Sequence, residues 1–464
     1  MLAAYGITKR VARTAAGIVA AVAVAGAPVV IDYSRSYSFA LPAAAMFTTA
    51  VWCQMRSFGH TKLWWSAAWG ASLGAMTISR SMTVAFVAGF LVVAVLQAAE
   101  ATNRKRALCG FGVGVATGLI IAGPWWWYDG ASAWQYLTSA GYGAQSSMYG
   151  PPRSIFSLAS WSQFGYLNVN ASIGIPLAAV LLLGAFALGA KTLQRYRTGH
   201  LSVEGVLRSE WLCPIVAVAV ALGALFSSRN QGSAFIAPLV PSMCAVAVAA
   251  LFQLVHARRG RVLVVALVVI AAVPTYAMKT IYGGEVNDPP MLSVDVPGWG
   301  ETTVYDSRST YDEFVTADMP HSQVNRKAWV NTNYQTANTI WRLQQRALAA
   351  MPVTLGFNAR LLNVNTLTLY SYALHGALLD AVLLNPVLPQ DEVAGYEQQF
   401  EADRGSGGEI AILTCDTNEV FPPVLSCVSE RAAASAEGLR EASTLELPDG
   451  SSLQFWVNLE EQRS

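Results

Sequence analysis

Nine near-continuous apolar stretches fill the first 282 residues of the chain, near 12–31, 39–55, 63–79, 82–99, 107–126, 171–190, 211–227, 233–255 and 262–280. About 20 apolar residues in helical form are needed to cross the ~30 Å hydrocarbon core of a bilayer. Inside that core only helices and closed barrels satisfy their own backbone polar groups. The expected fold is therefore an α-helical multi-pass membrane protein of about nine spans, with the third, short and Trp-rich, tilted or partly inserted. Composition agrees: of 464 residues, 53% are apolar and 13% charged, with a mean hydropathy of +0.38. Soluble domains carry about 25% charged residues, so a string of soluble domains is excluded.

The formal net charge of +1 conceals a division. Residues 1–282 hold 20 Lys/Arg and 5 Asp/Glu, whereas residues 283–464 hold 10 and 24. With nine spans, the clusters Lys9/Arg10/Arg13, Arg56/Lys62, Arg104/Lys105/Arg106, Lys191/Arg195/Arg197/Arg208 and Arg258/Arg259/Arg261 share one side. Only Arg35, Arg80, Arg153, Arg229 and Lys279 lie opposite. The excess of Lys/Arg in cytoplasmic loops then places the N-terminus in the cytoplasm and the C-terminal tail outside. The first segment also admits a reading as a signal peptide ending Ala25-Gly26-Ala27, although Pro28 argues against cleavage there. Small residues at Gly70/Gly74 and Gly110/Gly114/Gly118 have the spacing that lets helix backbones approach closely in lipid.

Residues 127–170, rich in Trp, Tyr, Ser and Gly, read as one long outer loop of the membrane domain. Residues 283–464 read as a soluble, acidic extracytoplasmic α/β domain. Its strands are expected at Val353–Gly356, Glu409–Thr414 and Leu453–Val457, and its helices near 325–350, 361–384 and 390–403. Cys415 and Cys427 are the only cysteines of the tail, and an oxidising compartment makes them a candidate disulfide. No Walker loop, dinucleotide fingerprint, HExxH, CxxC or Asp-x-Asp occurs, and the five His are scattered. No cofactor or metal site is expected from this, a divalent ion is left open, and nothing suggests a nucleic-acid partner.

Chemistry is expected at the outer ends of the spans. Asp32 and Asp129 are the membrane-half carboxylates on that side, with Arg35, Arg80, Arg153 and Arg229 beside them. Charges at membrane depth are costly and face a cavity or a partner, and the guanidinium fork matches phosphate oxygens. The simpler alternative is that each Arg snorkels to the head groups. The aromatics Trp125, Trp126, Trp127, Tyr128, Tyr136, Tyr142 and Tyr149 suit stacking on a sugar ring or an interfacial belt, the belt being favoured for the Trp run.

Four segments carry a resemblance: Pro28 to Tyr33-Ser34-Arg35; Gly70 through Gly74 to Ser79-Arg80; Gly123-Pro124-Trp125-Trp126; and Ser228-Arg229 through Pro238-Leu239-Val240-Pro241. In order and placement they are similar to motifs of polyprenyl-phosphate-dependent glycosyltransferases of the GT-C fold, the superfamily of protein O-mannosyltransferases and the lipid A aminoarabinose transferase. The resemblance covers about residues 10–255 and does not extend to the tail. It implies transfer of a sugar from a polyprenyl-phosphate donor to an extracytoplasmic glycan, lipid or protein. A carboxylate would be the general base, Asp32 or Asp129, with Arg35, Arg80 and Arg229 on the departing phosphate and Trp125, Tyr128 and Tyr142 on sugar or acceptor. The family's base lies in an outer loop preceding the Tyr-Ser-Arg segment, and that loop has no counterpart here. The expectation is a longer native start, or a partner subunit that completes the site. A transporter or flippase for a lipid-linked anion, and a non-catalytic subunit recruiting a partner through its tail, are the rival readings.

Overall fold

The computed structural model describes residues 1–34, 39–143, 146, 157–199, 202–229, 232–255, 257–281, 291–297, 299–306, 326–347, 351–357, 362–384, 392–403, 409–414, 427–448 and 450–458. The chain forms two compact units, residues 1–283 with 290–310, and residues 284–289 with 311–464.

The first unit is a helical bundle. Its helices are α1 (Leu2–Val11), α2 (Thr14–Ala25), α3 (Pro28–Ser34), α4 (Ala40–Ser57), α5 (Leu63–Ser79), α6 (Val84–Ala99) and α7 (Arg104–Tyr142), followed by α8 (Leu158–Leu167), α9 (Ile175–Arg197), α10 (Val203–Leu207), α11 (Leu212–Ser227), α12 (Val240–Leu254) and α13 (Arg258–Ile281). Each expected apolar stretch is largely helical. Among the described residues, four helical segments, 81–99, 104–139, 175–197 and 258–281, are long and apolar enough to cross a membrane. A fifth is reached if α2 and α3 count as one broken span, bent by 65° at the Gly26-Ala27-Pro28 break. Pro28 starts the second half of that pair, where its missing N–H costs nothing.

The stretch expected as an outer loop over 127–170 is mostly helix. α7 runs unbroken through Pro124 to Tyr142, and α8 follows, its first turn capped by the Ser157 hydroxyl accepting from Ser160 N. At 1.5 Å per residue the 39 residues of α7 extend roughly 58 Å, well beyond one hydrocarbon core. Trp and Tyr read as loop material because they mark interfaces, but no helix-stopping cluster interrupts them before Gly143.

Small residues set the helix contacts. A methyl group built on Gly70 would lie 1.8 Å from the Gly114 carbonyl oxygen, and one on Gly74 would lie 2.6 Å from that of Gly118. The two glycine motifs therefore face one another, and α5 and α7 touch backbone to backbone. Gly184 on Ala247 and Gly26 on Ala272 repeat the device between α9 and α12 and between α2 and α13.

A hairpin, β1 (Met291–Val296) and β2 (Gly300–Asp306), belongs to this unit and was not legible as strand. At its turn Trp299 Nε1 donates to Ser162 Oγ at 2.8 Å and its ring meets Tyr166 edge-on. At its far end Tyr305 OH donates to the Ile270 carbonyl at 2.8 Å. That carbonyl would accept from residue 274 in a regular helix, but residue 274 is a proline inside α13. The tyrosine supplies the donor that the ring removes.

The second unit is a five-stranded sheet flanked by helices: α14 (Arg326–Ala347), β3 (Val353–Leu355), α15 (Val364–His375), β4 (Ala381–Leu383), α16 (Glu392–Asp403), β5 (Glu409–Thr414), α17 (Cys427–Ala436), β6 (Arg440–Glu446) and β7 (Ser452–Asn458). The strand order is β4-β3-β5-β7-β6, with β3 parallel to β4 and β5, and β7 antiparallel to β5 and β6. Ile410 and Ile412 point into a core with Trp329, Ile340, Leu343, Leu367 and Phe455. Ala411 and Leu413 point the opposite way, onto Tyr396, Phe400, Ala433 and Ala434. A strand covered on both faces reads as continuously apolar, which is why β5 was expected and the exposed β6 was not. Residues 381–383, expected at the end of a helix, form β4 instead, because Gly376 ends α15 in a left-handed conformation at φ 70°.

Candidate functional site

At the end of the bundle where α13 finishes, charged side chains sit inside the protein. Asp32, on the short helix α3, pairs with Lys279 near the end of α13, Oδ2 to Nζ 2.9 Å, with side chains only 5% and 4% exposed. The residues are 247 apart in sequence. Asp32 was expected as a catalytic carboxylate beside outward arginines, and the structure gives it an ammonium partner.

Arg80 follows the last turn of α5 in an extended conformation and is 7% exposed. Its guanidinium carbon lies 4.5 Å from the ring centre of Phe235 and 5.2 Å from that of Phe39. The Thr83 hydroxyl binds the Arg80 and Met76 carbonyls at 2.8 and 2.9 Å, fixing the short turn at 81–83 that presents the arginine. A cation held between ring faces gives up water without losing electrostatic stabilisation.

Between these two groups lies a widened helical turn at Asn168–Ile173, which touches both α3 and the Ser233–Ile236 turn that carries Phe235. The turn closes with Gly174 N donating to the Val169 carbonyl at 2.8 Å, and Gly174 has φ 78°. The positive φ requires glycine. Asn168 is buried and donates through Nδ2 to the Phe164 carbonyl at 2.8 Å. Its Oδ1 has no hydrogen-bond partner among the described residues. A buried acceptor of this kind suits a hydroxyl or amine donor.

The remaining expected site residues are dispersed. Arg35 and Arg153 lie outside the described residues, as does Tyr149. Asp129 is half-buried on α7 and has no ion pair or hydrogen bond among the described residues. Arg229 is half-buried, and its backbone N–H donates to the Gly141 carbonyl at 3.0 Å. Tyr142 OH lies 2.8 Å from Ser227 Oγ, so α7 and α11 are tied together at this end. Trp125 and Trp126 pack edge to face at 5.1 Å, whereas Trp127 and Tyr128 are 91% and 92% exposed. Tyr136 and Tyr142 are also exposed.

Cys427 is in a disulfide, and its expected partner Cys415 lies outside the described residues. Among the described residues no three His, Cys, Asp or Glu converge as a metal site. Lys279 and Asn168 were missed in sequence. A lone lysine closing the last apolar run and a lone aspartate just after the first are a weak signal for the pair, but nothing marks Asn168. No family model, curated protein or solved structure matches the chain.

Proposed function

We propose that this chain is a membrane glycosyltransferase that moves a sugar from a polyprenyl-phosphate donor to an extracytoplasmic glycan, lipid or protein acceptor. The observation that carries this reading is Arg80, buried between Phe39 and Phe235 at the end of an apolar bundle that also buries the Asp32–Lys279 pair. A lipid phosphate approaching from the bilayer suits a desolvated guanidinium. Arg35 and Arg229 are the further arginines assigned to it, and Asn168 is assigned to a sugar hydroxyl. Asp32 acts here as the positioning residue for Lys279, and the general base falls to Asp129 or to a group supplied with the acceptor. The bundle is assigned nine spans in a GT-C-like arrangement, with the N-terminus cytoplasmic and the α/β unit extracytoplasmic in a plasma membrane. The resemblance of the four segments and the sorting of basic clusters support that assignment.

The test is transfer from a polyprenyl-phosphate sugar by the full chain in proteoliposomes, comparing wild type with Arg80→Ala and Arg35→Ala at equal expression. The expected result is loss of at least 100-fold in each variant, the size of removing one donor that stabilises developing charge. Full activity in both variants would remove these arginines from the site. Lipid translocation without transfer product would make the chain a flippase, and activity appearing only with a co-purified subunit would make it an accessory one.

A further inference from the structure

The opposite ends of α4 and α5 from Phe39 and Arg80 meet in a tight turn at 58–62, and this turn has chemistry that transfer does not use. Phe58, Gly59 and His60 adopt φ of 52°, 64° and 65° in succession. Two of the three are not glycine, and a bulky side chain is strained in this left-handed conformation. The strain persists because the turn is fixed from beneath. His60 is fully buried, its ring packs against Trp69 and Phe111, and its carbonyl lies where a Gly110 side chain would begin.

The strained turn holds the half-exposed Phe58 ring under two cations. Arg10 lies 4.5 Å from its centre and Lys62 4.1 Å. Beside them, Arg56 lies 5.0 Å from the Trp65 ring, Arg13 is exposed, and Trp64 is 77% exposed. Glu210 pairs with Arg10 at 2.7 Å. Among the described residues no carboxylate pairs with Arg56, Lys62 or Arg13. Arg56 and Lys62 thus lie against aromatic rings at the end of apolar helices, with Arg10 sharing the Phe58 ring and, among the described residues, no carboxylate paired with Arg56 or Lys62.

We infer that the 58–62 turn, with Arg56, Lys62 and Trp64, is a binding site for the phosphodiester headgroup of an anionic phospholipid. Exposed Trp64 at the end of an apolar helix suits headgroup depth, where Trp is favoured, and basic pockets between membrane helices bind such headgroups. Phe58 sets where Lys62 stands, and Trp64 packs along the acyl chain. The inference is independent of the transfer reaction.

The experiment titrates the detergent-purified full chain with phosphatidylglycerol or phosphatidylcholine and counts bound lipid by native mass spectrometry. Phosphatidylglycerol should bind at least tenfold more tightly. Arg56→Ala/Lys62→Ala should lose at least tenfold of that affinity, since each cation near the surface is worth about fivefold. Phe58→Gly removes the ring and relieves the strain together, so it should lose affinity while keeping or raising the melting temperature. It decides the matter if the double variant does not fold. The control is Arg104→Ala/Lys105→Ala/Arg106→Ala, which removes three exposed charges from the first turn of α7. An equal loss there, equal binding of the two lipids, or displacement by millimolar inorganic phosphate would overturn the site.

Discussion

Asp32 and Lys279 show how single residues set the energetics of the bundle. A buried ion pair contributes little beyond an apolar pair of the same volume, but removal of one partner strands a charge at a cost of about 3–5 kcal/mol. Lys279→Met should therefore lower stability by that order, and Asp32→Asn/Lys279→Met should recover most of it, measured by thermal unfolding in detergent. Additive losses would show that the two side chains do not depend on one another. His60 gives a pH dependence. Burial pushes it from the ordinary 6.5 down to about 4, so the unfolded chain binds the proton first as pH falls. Stability should be full above pH 6.5 and fall as pH drops towards 4, by on the order of 3 kcal/mol. His60→Asn keeps a residue tolerant of the left-handed conformation and should flatten that slope; an unchanged slope would assign it to other groups. Asp32 was legible in sequence because a carboxylate just after an apolar run stands out. Its partner was not, because pairing depends on how α3 and α13 pack, 247 residues apart.

Between elements, close approach and proline determine what the helices can do. Gly70→Ala places a methyl group against the Gly114 carbonyl and should prevent the α5–α7 contact, seen as loss of monodisperse folded protein. Gly112→Ala meets nothing within 4 Å and should be neutral or stabilising by up to about 1 kcal/mol, as expected for glycine in a helix. Folded Gly70→Ala protein of wild-type stability would contradict the contact. The hairpin gives a coupled test. Tyr305→Phe should cost about 1–2 kcal/mol by leaving the Ile270 carbonyl without a donor. In a Pro274→Ala background the helix supplies its own N–H, so the same substitution should cost nothing. An equal cost in both backgrounds would show that the tyrosine acts elsewhere. The glycine spacing was readable because it repeats along one helix. The hairpin and the helical continuation of α7 were not, since Trp and Tyr are as much at home in interfacial helices as in loops.

For the whole molecule, the concentration of apolar residues before 282 and of acidic residues after it was enough to separate a helical membrane body from an α/β unit. Both are bulk properties that survive ignorance of packing. The hairpin at 291–306 joining the membrane body was not foreseeable, because its anchors are Ser162 and the carbonyl freed by Pro274. A tightly packed end that buries Arg80, Asp32 and Lys279 is the arrangement on which the transfer reading stands. Its most direct test is stoichiometry: the wild-type chain in proteoliposomes supplied with a polyprenyl-phosphate sugar and an acceptor mixture. Free polyprenyl phosphate should appear in equal amounts with sugar attached to acceptor, and Arg80→Ala should abolish both together. Donor that crosses the bilayer with its sugar still attached, and no free polyprenyl phosphate, would contradict it.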